Sequence, residues 1–371
     1  MTGQRFDDDL LDDPERLTAA DTSGLLRAAA SAGAQVRSTA TTAAEAGLDR
    51  LAGERPRALV LITRPGAAAA AAPLLVALLG SSCPVPVVAA RSVPVWVGAL
   101  DVVLAHTTDP GDRELAEGVD RAVRRGAHVL VTAPADGPVA AAASGRSVLL
   151  APHVDIPPGL VLPRALAAGL LLLDTLGLLG TDPEALAGEL DREAERNHPG
   201  HESFVNPAKS LALRIAEHTP LLWGTDPVAT AVAGHAAGSL AAHAGVVANV
   251  AGIGEAMALS VLRRQAAAGD AEPDVFHDPY LDAGVTGWPA PVRALLLGVV
   301  PGPGAAMAAE ELPGADVVSA DEELEVDAAD SAAPACAAAV LALRFDMAAL
   351  YLGLARGVLG GPGWAGATTA Q

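Results

Sequence analysis

Short apolar runs alternate with longer segments of helical period along most of this chain. PRALVLIT (Pro56–Thr63), CPVPVVA (Cys83–Ala89), ALDVVLAHT (Ala99–Thr107), HVLVTA (His128–Ala133) and SVLLAP (Ser147–Pro152) are compact and rich in Val, Leu and Ala. Runs of this length without strict alternation fit strands buried on both faces. Between them lie helical patterns, Ala67–Leu79 and DRELAEGVDRAVRRGA (Asp112–Ala127); in the latter Leu115, Val119, Ala122 and Val123 recur at helical spacing. Strands and helices alternating at these lengths predict a parallel sheet covered on both faces.

The flanking segments extend this pattern. The first fifty residues read as helical, with Asp21, Thr22 and Ser23 positioned to cap LLRAAASAGAQVRSTATTAAEAGLDRL. A long apolar helix is predicted from Leu162 to about Leu179, followed by an acidic connecting stretch. A new unit opens at Asn206, an N-cap residue with Pro207 at the first helical position. Strands TPLLWGT, RALLLGVV and ADVVSA follow, with a helix over Val228–Ala244 and a last one over Pro334–Gly357. The predicted fold class is α/β: two doubly wound parallel sheets flanked by helices. The expected organisation is a helical segment over 1–50, α/β domains over 51–180 and 206–371, and a helical linker over 181–205.

Composition narrows the function. Of the 371 residues, 51% are hydrophobic and 18% charged, which excludes a mainly disordered chain. Aromatic residues make up 3%, so the core must be built from Ala, Leu and Val. A formal net charge of −20 excludes a basic nucleic-acid footprint, and a single lysine, Lys209, excludes a polybasic membrane patch. Neither nucleic acid nor membrane is therefore expected as a partner. Gly66–Ala90 and Pro227–Gly254 lack charge but are diluted by Ala, Gly and Pro, and read as buried segments rather than spans. The acidic N-terminus has no apolar signal region, and Cys83 and Cys336 read as buried free thiols, so a cytoplasmic location is expected.

Four segments carry a resemblance: LDDPERLTAADTSGLL (Leu11–Leu26), PPGLVLPRA (Pro157–Ala165), NPAKSLA (Asn206–Ala212) and LRFDMAALYLGLARGV (Leu343–Val358). With these, in this order, the chain resembles the bifunctional phosphoglucose/phosphomannose isomerases, as a divergent member of actinobacterial type. The resemblance implies two tandem sugar-isomerase (SIS) domains, a homodimer, a hexose phosphate as ligand, aldose–ketose isomerisation and no cofactor.

The chemical motifs of that family are eroded here. Its glycine- and serine-rich turn after the first strand, GMGGSAIGGD in form, corresponds to RPGAAAAAAP (Arg64–Pro73), where Gly66 remains and Arg64 offers a charge to a phosphate. A plain turn into an Ala helix is the other reading of that stretch. The family's phosphate loop, SxSGNTEET in form, corresponds to HTTDPGDREL (His106–Leu115). Thr107 and Thr108 keep hydroxyls at a strand's C-terminal end, while Asp109, Asp112 and Glu114 repel a dianion and Asp109 is a candidate helix cap. Arg164, in the PPGLVLPRA segment, is a further candidate ligand residue, marking with Thr108 the cleft of the first domain.

Isomerisation needs a base to move a proton between C1 and C2 and a group to open the ring. The resemblance implies a glutamate base at the position occupied by Ala242, a histidine that is missing between His243 and His277, and a C-terminal lysine that is also missing. His235 and His243, two helical turns apart, and Glu255 are the candidate replacements; a packed core histidine is the alternative for each imidazole. The resemblance and the losses together imply a sugar-phosphate protein with weak or absent turnover, a sensor or scaffold being the alternative to an enzyme. GPGAAMA (Gly302–Ala308) with Asp321 approaches a dinucleotide fingerprint, but Met307 stands at its third glycine position. No Cys/His spacing suits zinc.

Overall fold

The computed structural model describes residues 6–145, 147–268, 291–320, 324–327 and 331–360. Asp321 and the tail beyond residue 360 lie outside the described residues. In chain order the elements are α1 (Pro14–Ala20), α2 (Leu25–Ala30), α3 (Ala32–Glu45), β1 (Ala58–Ile62), α4 (Ala71–Leu79), β2 (Val87–Ala90), β3 (Asp101–His106), α5 (Arg113–Arg124), β4 (His128–Thr132), α6 (Gly137–Ala142), β5 (Val148–Leu150), α7 (Leu162–Thr175) and α8 (Pro183–Arg196). They continue with α9 (Pro207–Ile215), β6 (Thr219–Gly224), α10 (Pro227–Ala244), β7 (Asn249–Gly252), α11 (Ile253–Ala258), α12 (Ser260–Ala268), β8 (Val292–Leu297), α13 (Pro303–Glu311), β9 (Asp316–Val318) and α14 (Ala333–Ala355). Two compact units result. One comprises the described residues within 27–195 and 324–343, and the other those within 6–26, 196–320 and 344–360.

The first unit holds a sheet of order β2-β1-β3-β4-β5 in which every pairing is parallel. Val60, Ile62, Val103, Ala105, Val129 and Val131 face α5 and α6 and form one core layer with Leu115, Val119 and Val139. Leu59, Leu61, Leu104 and Leu130 are buried on the other face, where α3, α4 and α7 pack together. Both faces are covered, which is why the strands read as continuous apolar runs. β2 begins at Val87 rather than Cys83, because Pro84 and Pro86 have no N–H for the ladder. α7 ends at Thr175, short of Leu179: Gly177 takes φ +66° and donates its N–H to Asp174 O, a left-handed stop.

The second unit holds a parallel sheet of order β7-β6-β8-β9. Leu221, Trp223, Ala251, Ala294 and Leu296 pack with residues of α11, α12 and α13 on one face. α10 packs against β6, β7 and β8. β7 is a short NVAG segment without an apolar run, so the residue pattern does not announce it. α14 is long and apolar enough to cross a membrane, yet it is buried along its length and carries Arg344 and Asp346. Cys336 is buried as expected; Cys83 is only half-buried, with its Sγ donating to Val85 O at 3.3 Å.

Candidate functional site

In a doubly wound sheet, ligands bind beyond the strand C-termini where the strand order reverses. In the first unit that point lies between β1 and β3. Arg64 follows β1, and Asp112 is the N-cap of α5, accepting from Leu115 N–H at 3.0 Å. Arg64 Nε and Nη2 donate to the two Asp112 carboxylate oxygens at 2.6 and 3.0 Å. Its Nη1 donates to Glu114 Oε2 at 2.9 Å and to Arg91 O at 3.0 Å. Burial by itself pushes the Arg64 guanidinium down, and the bonds from Glu114 and Asp112 more than reverse this, leaving it raised. The helix cap falls to Asp112 and not to Asp109, whose carboxylate accepts from Gly111 N–H in the preceding turn.

The other loop candidates sit around this pair. Gly66 is exposed at φ +118°, a conformation that suits glycine. Thr107 is buried, and its Oγ1 accepts from Asp109 N–H at 3.1 Å. Thr108 is exposed.

The second unit repeats the device. Its strand order reverses between β6 and β8. Asp226, at the N-cap of α10, accepts from Ala229 N–H at 2.9 Å through Oδ1. Its Oδ2 accepts from Val299 and Val300 N–H, just past β8, at 2.9 and 3.0 Å. One internal carboxylate thus joins the two loops of each reversal point. Asp226 was not singled out from the sequence, where TDP before an Ala-rich segment signals only a cap.

The acid–base candidates are dispersed. His235 is buried on α10, its Nε2 bonded to Asp346 Oδ1 of α14 at 2.8 Å. His243 is half-buried in the last turn of α10, and Glu255 is exposed in the first turn of α11. Ala242 is exposed. Among the described residues no group of three or more His, Cys, Asp or Glu could hold a metal ion.

Arg164 lies elsewhere in the first unit and is differently partnered. It sits on α7, is buried, and its Nη2 donates to Val154 O at 2.6 Å. Burial pushes its guanidinium down from the ordinary arginine value, opposed by the charge of Asp155. It lines a shallow pocket, open on one side, with Ser38, Thr39 and Thr42 of α3, Thr132 at the end of β4, and Pro152 beyond β5. Thr132 Oγ1 is hydrogen-bonded to His106 Nδ1 at the end of β3. His106 Nε2 is buried without a hydrogen-bond partner among the described residues. Burial, reinforced by the Arg164 charge, lowers the imidazole to about 3 and keeps it neutral near pH 7. The residue reading missed this group except for Arg164; the cue was a hydroxyl-bearing face, Ser38, Thr39 and Thr42, in an otherwise Ala-rich helix.

No family model and no curated protein matches this sequence. Solved structures do. A proposed phosphosugar isomerase from Bacillus subtilis aligns over 88% of this chain and 94% of its own, with 16% identity and a TM-score of 0.56. The C-terminal domain of glucosamine-fructose-6-phosphate aminotransferase from Francisella tularensis aligns over 91% and 98%, with 12% identity and a TM-score of 0.57. A glucose-6-phosphate isomerase-like protein from Thermus thermophilus aligns over 93% and 92%, with 20% identity and a TM-score of 0.50. The chain has the α/β fold of SIS phosphosugar isomerases.

Proposed function

We propose that this protein binds a hexose phosphate, as a cytoplasmic homodimer, and has weak or absent aldose–ketose isomerase activity. The observation that carries the reading is the state of His235. It is the imidazole that could replace a lost base from within α10, and it is buried with its Nε2 bonded to Asp346. At 4% exposure the imidazole is shut away from the surface where a substrate proton would arrive. Glu255 is exposed in the first turn of α11, outside any enclosed site. Binding survives this loss because Arg164 remains a buried cation beside hydroxyls.

A coupled assay for interconversion of glucose 6-phosphate or mannose 6-phosphate with fructose 6-phosphate, run beside calorimetric titration of the same sugars, tests the reading. Binding with turnover near background is expected. Robust turnover would overturn it, and its loss in His243→Ala or Glu255→Gln would then locate the acid–base pair. Failure of all three sugars to bind would overturn it as well. Sedimentation at micromolar concentration checks the dimer.

A further inference from the structure

We infer that the phosphoryl group of the ligand is received in the pocket around Arg164, and not at the strand-order reversal point of the first unit. The inference rests on the reading above for the sugar part of the ligand only. At the β1–β3 reversal point the obvious phosphate receptor, Arg64, is 16% exposed and already embraced by Asp112 and Glu114. A dianion arriving there would have to displace two carboxylates and the cap of α5. In the corresponding crevice of the second unit the carboxylate of Asp226 ties the two loops together, and it would repel a dianion.

Arg164 stands in the opposite condition. A buried charge is costly unless paired, and among the described residues its hydrogen-bond partner is one backbone carbonyl. Its fork has five N–H donors, matched in geometry to phosphate oxygens. Ser38 presents a hydroxyl beside it. The hydroxyls of Thr39 and Thr42 donate to the carbonyls of Gln35 and Ser38 at 2.7 and 2.8 Å. These are back-bonds to the helix that carry little stability, so the hydroxyls can turn toward an anion at small cost. Thr132 lines the strand side of the pocket, and the neutral His106 is bonded to its hydroxyl. The pocket opens to solvent on one side, where the sugar would extend.

The experiment titrates the full chain with inorganic phosphate, followed by phosphorus NMR and thermal shift, and then adds glucose 6-phosphate as a competitor. One saturable phosphate site is expected, displaced by the sugar phosphate. Arg164→Met should weaken phosphate binding at least about tenfold, the loss of a charge-assisted hydrogen bond. Ser38→Ala touches no ion pair and should weaken it by a smaller factor, which keeps the test available if Arg164→Met fails to fold. Absence of phosphate binding, or binding lost in Arg64→Met but kept in Arg164→Met, would overturn the inference. If phosphate binds through Arg164 and glucose 6-phosphate does not compete, the pocket stands and the hexose-phosphate reading falls. If the sugar phosphate binds independently of Arg164 and Ser38, the reading stands and the pocket falls.

Discussion

Asp112 does two things with one carboxylate: it caps α5 and neutralises Arg64, at 8% exposure. Removing one partner of a buried ion pair strands the other and costs about 3–5 kcal/mol, less where a second acid remains. Asp112→Ala is therefore expected to destabilise the first unit by about 2–4 kcal/mol in urea unfolding. Glu114→Gln, at a carboxylate 62% exposed, should cost under about 1 kcal/mol. His106 gives a pH signature. Its native value is about 3, against 6.5 for the free side chain. Between those values the unfolded chain binds a proton that the native chain does not, so stability falls as pH drops through the window, by up to about 1.4 kcal/mol per unit. His106→Gln should flatten the acid limb of a stability–pH profile. Neither role was legible from sequence. Arg64 and Asp112 are far apart along the chain, and an arginine after a strand reads equally as a phosphate receptor or an ion-pair partner until its contacts are known.

Among elements, α10 and α14 show how an alanine-rich core is held. A Cβ at Gly353 of α14 would lie 2.1 Å from the carbonyl oxygen of His243, so the helix rests directly on the backbone at the end of α10. Backbone cannot step aside as a side chain can. Gly353→Ala is expected to cost about 1–3 kcal/mol, read as a lower melting temperature with unchanged far-ultraviolet circular dichroism. The alternation of elements was legible because fully buried strands leave a plain apolar signature, as in Ala58–Ile62. Boundaries were less so. Pro84 and Pro86 shortened β2, Gly177 stopped α7, and β7 carried too few apolar residues to be noticed.

For the molecule as a whole, the charge of −20 is the dominant electrostatic fact. Its surface repels itself, and screening relieves this within a Debye length of about 10 Å at 0.1 M salt. The melting temperature should rise from low salt to about 0.5 M sodium chloride; a fall would mean that exposed ion pairs such as Arg37–Glu184 outweigh the repulsion. Fold class was readable at this scale, since two runs of buried parallel strands allow few architectures. The binding pocket was not, because it is assembled from α3, β4 and α7, which are far apart in sequence.

The Arg64–Asp112 bridge also constrains how this protein can diverge. Loss of either residue alone weakens the buried pair, so substitutions at the two positions should arrive together in an alignment of close relatives. A lineage that loses the arginine at 64 should have lost the acid at 112 as well, whereas a drift of position 112 independent of position 64 would mean that the bridge has no hold on the lineage.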